Sequence, residues 1–139
     1  MAEAIEIVRR LTEEAWKDPS VIDELASPDY VGYDPTEPEP VRGPDGLKAQ
    51  LDKYISAFEG AHVTVDEQIA DGNLVATRWT GRGTHTGEIA GVAPTGKDVT
   101  VTGITISRVE EGKVVEERQV WDALGMLVQL GAVPMPTAA

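Results

Sequence analysis

The apolar residues of this chain change their spacing once, and that change limits the folds open to it. Up to residue 58 they recur at helical intervals. Ala4, Val8, Leu11 and Ala15 fall at i, i+4, i+7 and i+11, with Ile7 widening the stripe. Leu47, Leu51, Tyr54, Ile55 and Phe58 repeat the pattern in a helix that follows Gly43-Pro44 and ends at Gly60. From Val63 onward the period is two: Val63, Val65 and Ile69 alternate with Thr64, Asp66 and Gln68. Helices first and strands later predict an α+β domain and exclude alternating βαβ units.

The punctuation fills in the rest. Asp18-Pro19 starts a short second helix with Val21, Ile22 and Leu25 inward, and Ser27-Pro28 stops it. Residues 30–33 form a short strand, and the prolines between Asp34 and Pro44 make the next stretch a loop. Asp71-Gly72-Asn73 turns one long strand into another, LVATRWTGRGTHTG. Further strands run from Val99 to Val109 and from Lys113 to Asp122, joined at Glu110-Glu111-Gly112. LGMLVQLG closes as a helical turn, and residues 133–139 form a loose tail. No repeat or linker divides the chain, so one domain over 1–139 is expected.

Charge narrows the partners. Against 24 Asp and Glu stand 12 Lys and Arg, a net charge of -12, which disfavours nucleic acid and membrane partners. The first 16 residues carry charges every few positions and lack the apolar run of a signal peptide, so a soluble, cytoplasmic protein is expected. There is no cysteine, and His62 and His85 stand apart without H-x-H or H-x-x-x-H spacing, so no metal site is expected.

Three stretches resemble one family. RWTGRGTHTGEIAGVAPTGKDVTVTG (78–103), SRVEEGKVVEERQVWD (107–122) and LGMLVQLG (124–131) are similar to the SnoaL-like polyketide (ester) cyclases, with support from DYVGYDP and GPDGLK upstream. The resemblance implies the cone-shaped nuclear transport factor 2-like fold, a curved, mostly antiparallel sheet packed by three helices from the N-terminal half. It also implies a cofactor-free, intramolecular aldol-type ring closure in which a pocket aspartate, here Asp122, serves as acid and base. Relatives often carry histidine where this chain has Tyr33. They commonly assemble through the sheet, so a homo-oligomer, dimer or tetramer, is expected.

Residue chemistry supplies candidates and competing readings. Asp122 sits among Val120, Trp121, Leu124 and Met126, where burial would raise its pKa for proton transfer; as an aspartate before a helical turn it is equally a capping residue. His85 lies in the turn-rich G-T-H-T-G, suited to proton transfer or to a structural hydrogen bond. Tyr33, Tyr54, Phe58, Trp79 and Trp121 are candidates to line a pocket for a hydrophobic or aromatic small molecule, or to pack a core. Gln119 joins them, although strand parity puts Gln119 and Trp121 on one face and Val120 and Asp122 on the other. Arg78, Arg108 and Glu117 read as cross-strand ion pairs. Two alternatives to the cyclase stand beside it: a protein that binds a small molecule without chemistry, and an isomerase or epoxide hydrolase using the same groups.

Overall fold

A computed structural model describes residues 2–134. Helix α1 (Ala2–Glu14) and the short α2 (Val21–Leu25) lead into β1 (Ala26–Tyr33), β2 (Val41–Arg42), α3 (Gly43–Ala57), β3 (Phe58–Asp71), β4 (Leu74–His85), β5 (Asp98–Glu110), β6 (Lys113–Trp121) and α4 (Ala123–Gln129). The six strands form one sheet in the order β2-β1-β6-β5-β4-β3. Every pairing is antiparallel except β1 with β6. The helices of the N-terminal half lie on one face of this sheet, as expected.

The boundaries differ where several signals compete. Phe58 belongs to β3 instead of the helix: α3 ends at Ala57, and Phe58 turns extended (φ -129°, ψ 113°) while its N–H still bonds Tyr54. Helix α2 ends at Leu25 and strand β1 starts at Ala26, so Ser27-Pro28 lies within a strand instead of stopping the helix. Val41-Arg42, expected as loop, adds an edge strand to β1 through Val31↔Arg42 and Gly32↔Val41. An edge position accommodates the neighbouring Pro40, which has no N–H to offer. Asp18 is not a helix cap; its carboxylate accepts from the N–H and hydroxyl of Ser20 and shapes the turn before α2. The tail expected over 133–139 lies outside the described residues from 135 onward.

Two apolar clusters hold the elements together. The larger one packs Val8 and Leu11 of α1, Ile22 and Leu25 of α2 and Leu51 of α3 onto Tyr30, Val75 and Val114 of the sheet. The smaller one gathers Ala57, Phe58, Ile89, Val99, Met126 and Leu130 under α4. The concave face of the sheet bridges the two and leaves a hollow between them.

Leu25 is 2% exposed in the larger cluster. Leu25→Ala is expected to cost about 2–5 kcal/mol, the range for emptying a leucine site. Urea denaturation should show a lower midpoint with an unchanged slope; a loss below about 1 kcal/mol would mean that the site collapses around the smaller side chain.

A candidate active-site cavity

Inner-facing residues alternate along β5 and β6, and the register sets them side by side: Gly103 opposite Trp121, Thr105 opposite Gln119, Ser107 opposite Glu117. The hollow they face has a volume of about 180 Å³ and is partly open to solvent. Leu11, Ile22 and Leu51 wall it on the side of the larger cluster, and Phe58, Val99 and Met126 on the other. Trp79 and Trp121 stand on the sheet side. Tyr54 meets Trp121 edge-on, with ring centroids 6.0 Å apart and planes at 87°. Gly103 makes room for both indoles: a Cβ there would collide with the Trp79 ring and lie 2.8 Å from Trp121 Cβ.

Thr12, Gln50, His62 and Arg82 also line this chamber, and carboxyl groups enter it in two places. The first centres on Asp34, the residue after β1. Its Oδ2 accepts hydrogen bonds from Gln119 Nε2 at 2.7 Å and Trp121 Nε1 at 3.1 Å. Its Oδ1 accepts from the backbone N–H and hydroxyl of Thr36 at 2.8 and 2.7 Å. All four are donations to the carboxylate, two to each oxygen. The chain of bonds continues across the sheet: the Thr105 hydroxyl donates to Gln119 Oε1 at 3.3 Å and accepts from Trp79 Nε1 at 3.0 Å.

The second place lies one inward step back along β6. Glu117 lines the cavity. Its Oε1 accepts from the Tyr30 hydroxyl at 2.9 Å and its Oε2 from the Ser107 hydroxyl at 2.6 Å. Burial pushes its carboxyl above the ordinary value near 4.5, and the bonds from Ser107 and Tyr30 draw it only part of the way back. Burial, followed by the neighbouring Glu117 charge, pushes the Tyr30 phenol up in turn. Among the described residues no cation pairs with Glu117; Arg78 pairs across the strands with Asp66 and Glu67 at 3.7 and 3.4 Å.

Of the residues anticipated from sequence, Tyr54, Phe58, Trp79, Gln119 and Trp121 come together around the cavity. Three do not. Asp122 is exposed and caps α4, its Oδ1 accepting from Gly125 N at 2.8 Å. It follows the last inward residue of β6, so parity turns it away from the chamber. Tyr33 lies on the opposite side, stacked beneath the Arg118 guanidinium at 4.1 Å, a cation–π contact between strand partners.

His85 closes β4 fully buried instead of standing exposed in a turn. Its ring packs on Phe58 at 5.4 Å, and Nδ1 accepts from Thr95 N at 3.1 Å, which puts the proton on Nε2. That Nε2 has no partner, and His85 is not among the residues that line the cavity. Among the described residues, no group of three His, Asp or Glu is placed to hold a metal ion.

Sequence reasoning missed Asp34 and Glu117. Glu117 shares parity with Gln119 and Trp121, a signal that was present in the strand. Asp34 left no such trace, because its position depends on contacts 85 and 87 residues away in sequence.

A curved sheet closed at one end by helices, with aromatic and carboxyl groups on its concave face, defines a cone-shaped small-molecule pocket protein of the nuclear transport factor 2-like fold. The match to the model of the SnoaL-like polyketide cyclases covers residues 6–130, and the chain belongs to that family. It is 31% identical over 141 residues to the aklanonic acid methyl ester cyclase DnrD of Streptomyces peucetius, covering 99% of this chain and 96% of that protein. The SnoaL-like polyketide cyclase candidate of Jannaschia sp. CCS1 superposes with a TM-score of 0.85 at 26% identity, covering 96% of this chain and 94% of the other. IdmH of Streptomyces antibioticus, a candidate polyketide cyclase, gives 0.81 at 33% identity, covering 92% and 98%.

Removing the α4 cap tests the placement of Asp122. Asp122→Ala is expected to lower stability by about 1 kcal/mol in chemical denaturation while small-molecule binding in the cavity is retained. Abolished binding in a well-folded variant would return Asp122 to the site.

Proposed function

We propose that this protein is a cyclase that closes a ring within a small, enolisable, largely aromatic substrate by acid–base chemistry, with Asp34 as the base. The observation that carries this reading is the Asp34 carboxylate, locked by Gln119 and Trp121 at the wall of an apolar, aromatic chamber. Membership of a cyclase family supports the same class of reaction.

The step needs few parts. Asp34 takes a proton from the carbon between two carbonyl groups, and the resulting enolate carbon attacks another carbonyl of the same molecule. One C–C bond forms, and the new alkoxide takes the proton back from Asp34. The product is an isomer of the substrate, so neither oxidant nor cofactor enters the balance. Gln119, Trp121 and the Thr36 N–H hold Asp34 in one orientation before substrate arrives, and rotation of the Thr36 hydroxyl frees the lone pair that takes the proton.

Replacing Asp34 by Asn keeps the shape and removes the base. With an enolisable aromatic β-keto ester as substrate, kcat is expected to fall at least ~100-fold, the usual scale of general base catalysis, with KM changed little. Unimpaired turnover would exclude Asp34. If such esters bind without turnover in the unmodified protein, the chain acts as a binding protein. Loss of turnover in a folded Asp122→Asn variant alone would move the base to the helix cap.

The cyclase reading places the protein in solution, and no helix among the described residues is long and apolar enough to cross a membrane. Its expected partner is a second copy. On the convex face of the sheet Ile69, Ile104, Ile106 and Val120 are 50–67% exposed, and Ile104 lies directly opposite Val120 across β5 and β6. An apolar surface shared by neighbouring strands is suited to sheet-on-sheet packing. Light scattering after size exclusion should show a dimer or larger assembly, and Ile106→Lys should shift it towards monomer; a monomeric unmodified protein at tens of micromolar would refute the assembly.

A further inference from the structure

The Asp34 reading leaves one half-buried carboxyl of the chamber, Glu117, unused. Glu117 faces the cavity, and Tyr30 and Ser107 hold its carboxyl from behind. Both neighbours are buried, Tyr30 at 3% and Ser107 at 0% exposure. Two of the carboxyl's lone-pair directions are therefore committed to the protein, and its remaining hydrogen-bonding capacity is directed to the chamber. Burial also favours the neutral acid. With Tyr30 and Ser107 donating, the acid's own proton has no acceptor among the protein groups bonded to the carboxyl.

We infer that Glu117 is a substrate-recognition group, donating a hydrogen bond to a carbonyl or ether oxygen of a neutral ligand whose reacting carbon faces Asp34. This rests on the cavity being the substrate site. It adds a specificity: Glu117 and Gln119 are two residues apart on β6, a rise of about 7 Å, which a flat two-ring molecule spans. The favoured substrate is thus a fused aromatic ketone with a second oxygen at the far end from the reacting carbon. Hydrocarbons of the same shape bind less well because they leave the acid unpaired, and carboxylates are disfavoured by proximity to Asp34 and Glu117.

Quenching of Trp79 and Trp121 fluorescence measures the preference with simple probes. The unmodified protein is expected to bind 1-tetralone, a hydrogen-bond acceptor, about tenfold more tightly than naphthalene, one well-made hydrogen bond to a half-buried group. Glu117→Leu should erase that ratio, and Glu117→Gln, whose amide still donates, should restore most of it. Infrared difference spectra give a second reading that does not need the leucine variant to fold. A protonated-carboxyl band that is missing in Glu117→Gln should shift when 1-tetralone is added. Equal affinity for the two probes, a preference for the donor 1-naphthol, or an infrared band unmoved by the ketone would each overturn the inference. Neither measurement uses turnover, so these results are independent of the outcome at Asp34.

Discussion

Two hydrogen bonds from the last strand to the residue after the first hold this cavity in its shape. Gln119 and Trp121 both donate to Asp34 and tie the proline-rich stretch between β1 and β2 to β6. Bonds to a charged group contribute about 1.5–3 kcal/mol each, enough to fix a segment that has few regular partners of its own. The same stretch is latched to α3 by Glu37 and Lys53 at 2.6 Å, a half-exposed pair that contributes much less. Without the Asp34 contacts, Trp121 would lose its partner and its packing against Tyr54 would be less fixed. The chamber and the base are therefore one construction: the contacts that orient the carboxylate also set the wall beside it.

The order of elements was legible because it depends on periodicity, and periodicity follows from which side of an element meets the core. The stripe from Ala4 to Ala15 reappears as a buried face, whereas on β3 a bulge after Val65 breaks the expected alternation, leaving Ile69 66% exposed and turning Gln68 to the helix side, where it bonds Ile5 O and Thr77. Boundaries were less legible where two signals overlapped. Phe58 satisfies helical spacing with Leu51 and Tyr54, yet it is also the first inward residue of β3 and packs on His85 across the sheet. Tertiary contact decided against the local pattern. Val41-Arg42 became a strand for a similar reason, since pairing with β1 offers its backbone partners that composition does not reveal.

The site was half legible. Aromatic residues were found because large apolar side chains gather wherever a cavity or a core forms, and here they do both. The carboxylate was harder. An aspartate in front of a helical turn fits capping and catalysis equally well from sequence, and the structure gives Asp122 the cap. Strand parity already favoured that outcome, since it separated Asp122 from Gln119 and Trp121. Asp34 could not be found by parity or spacing. It follows a strand and precedes a proline, a context that describes many surface aspartates, and only the folding of β6 beside β1 gives it a chamber to face.

Asp34 and Glu117 show how one small pocket can offer two different carboxyl groups. Asp34 accepts from four donors, two of them on β6; Glu117 is half-buried and has two hydroxyls for support. Where environments separate two acids in this way, one is suited to accept a proton and the other to donate a hydrogen bond. A ring closure needs both capacities, one at the carbon that loses a proton and one at an oxygen that fixes the ring system in place. The β5–β6 register puts their supporting pairs, Thr105 with Gln119 and Ser107 with Glu117, at successive inward positions. A slip of one residue would turn both pairs outward together, so the division of labour between the two acids rests on the pairing of the last two strands.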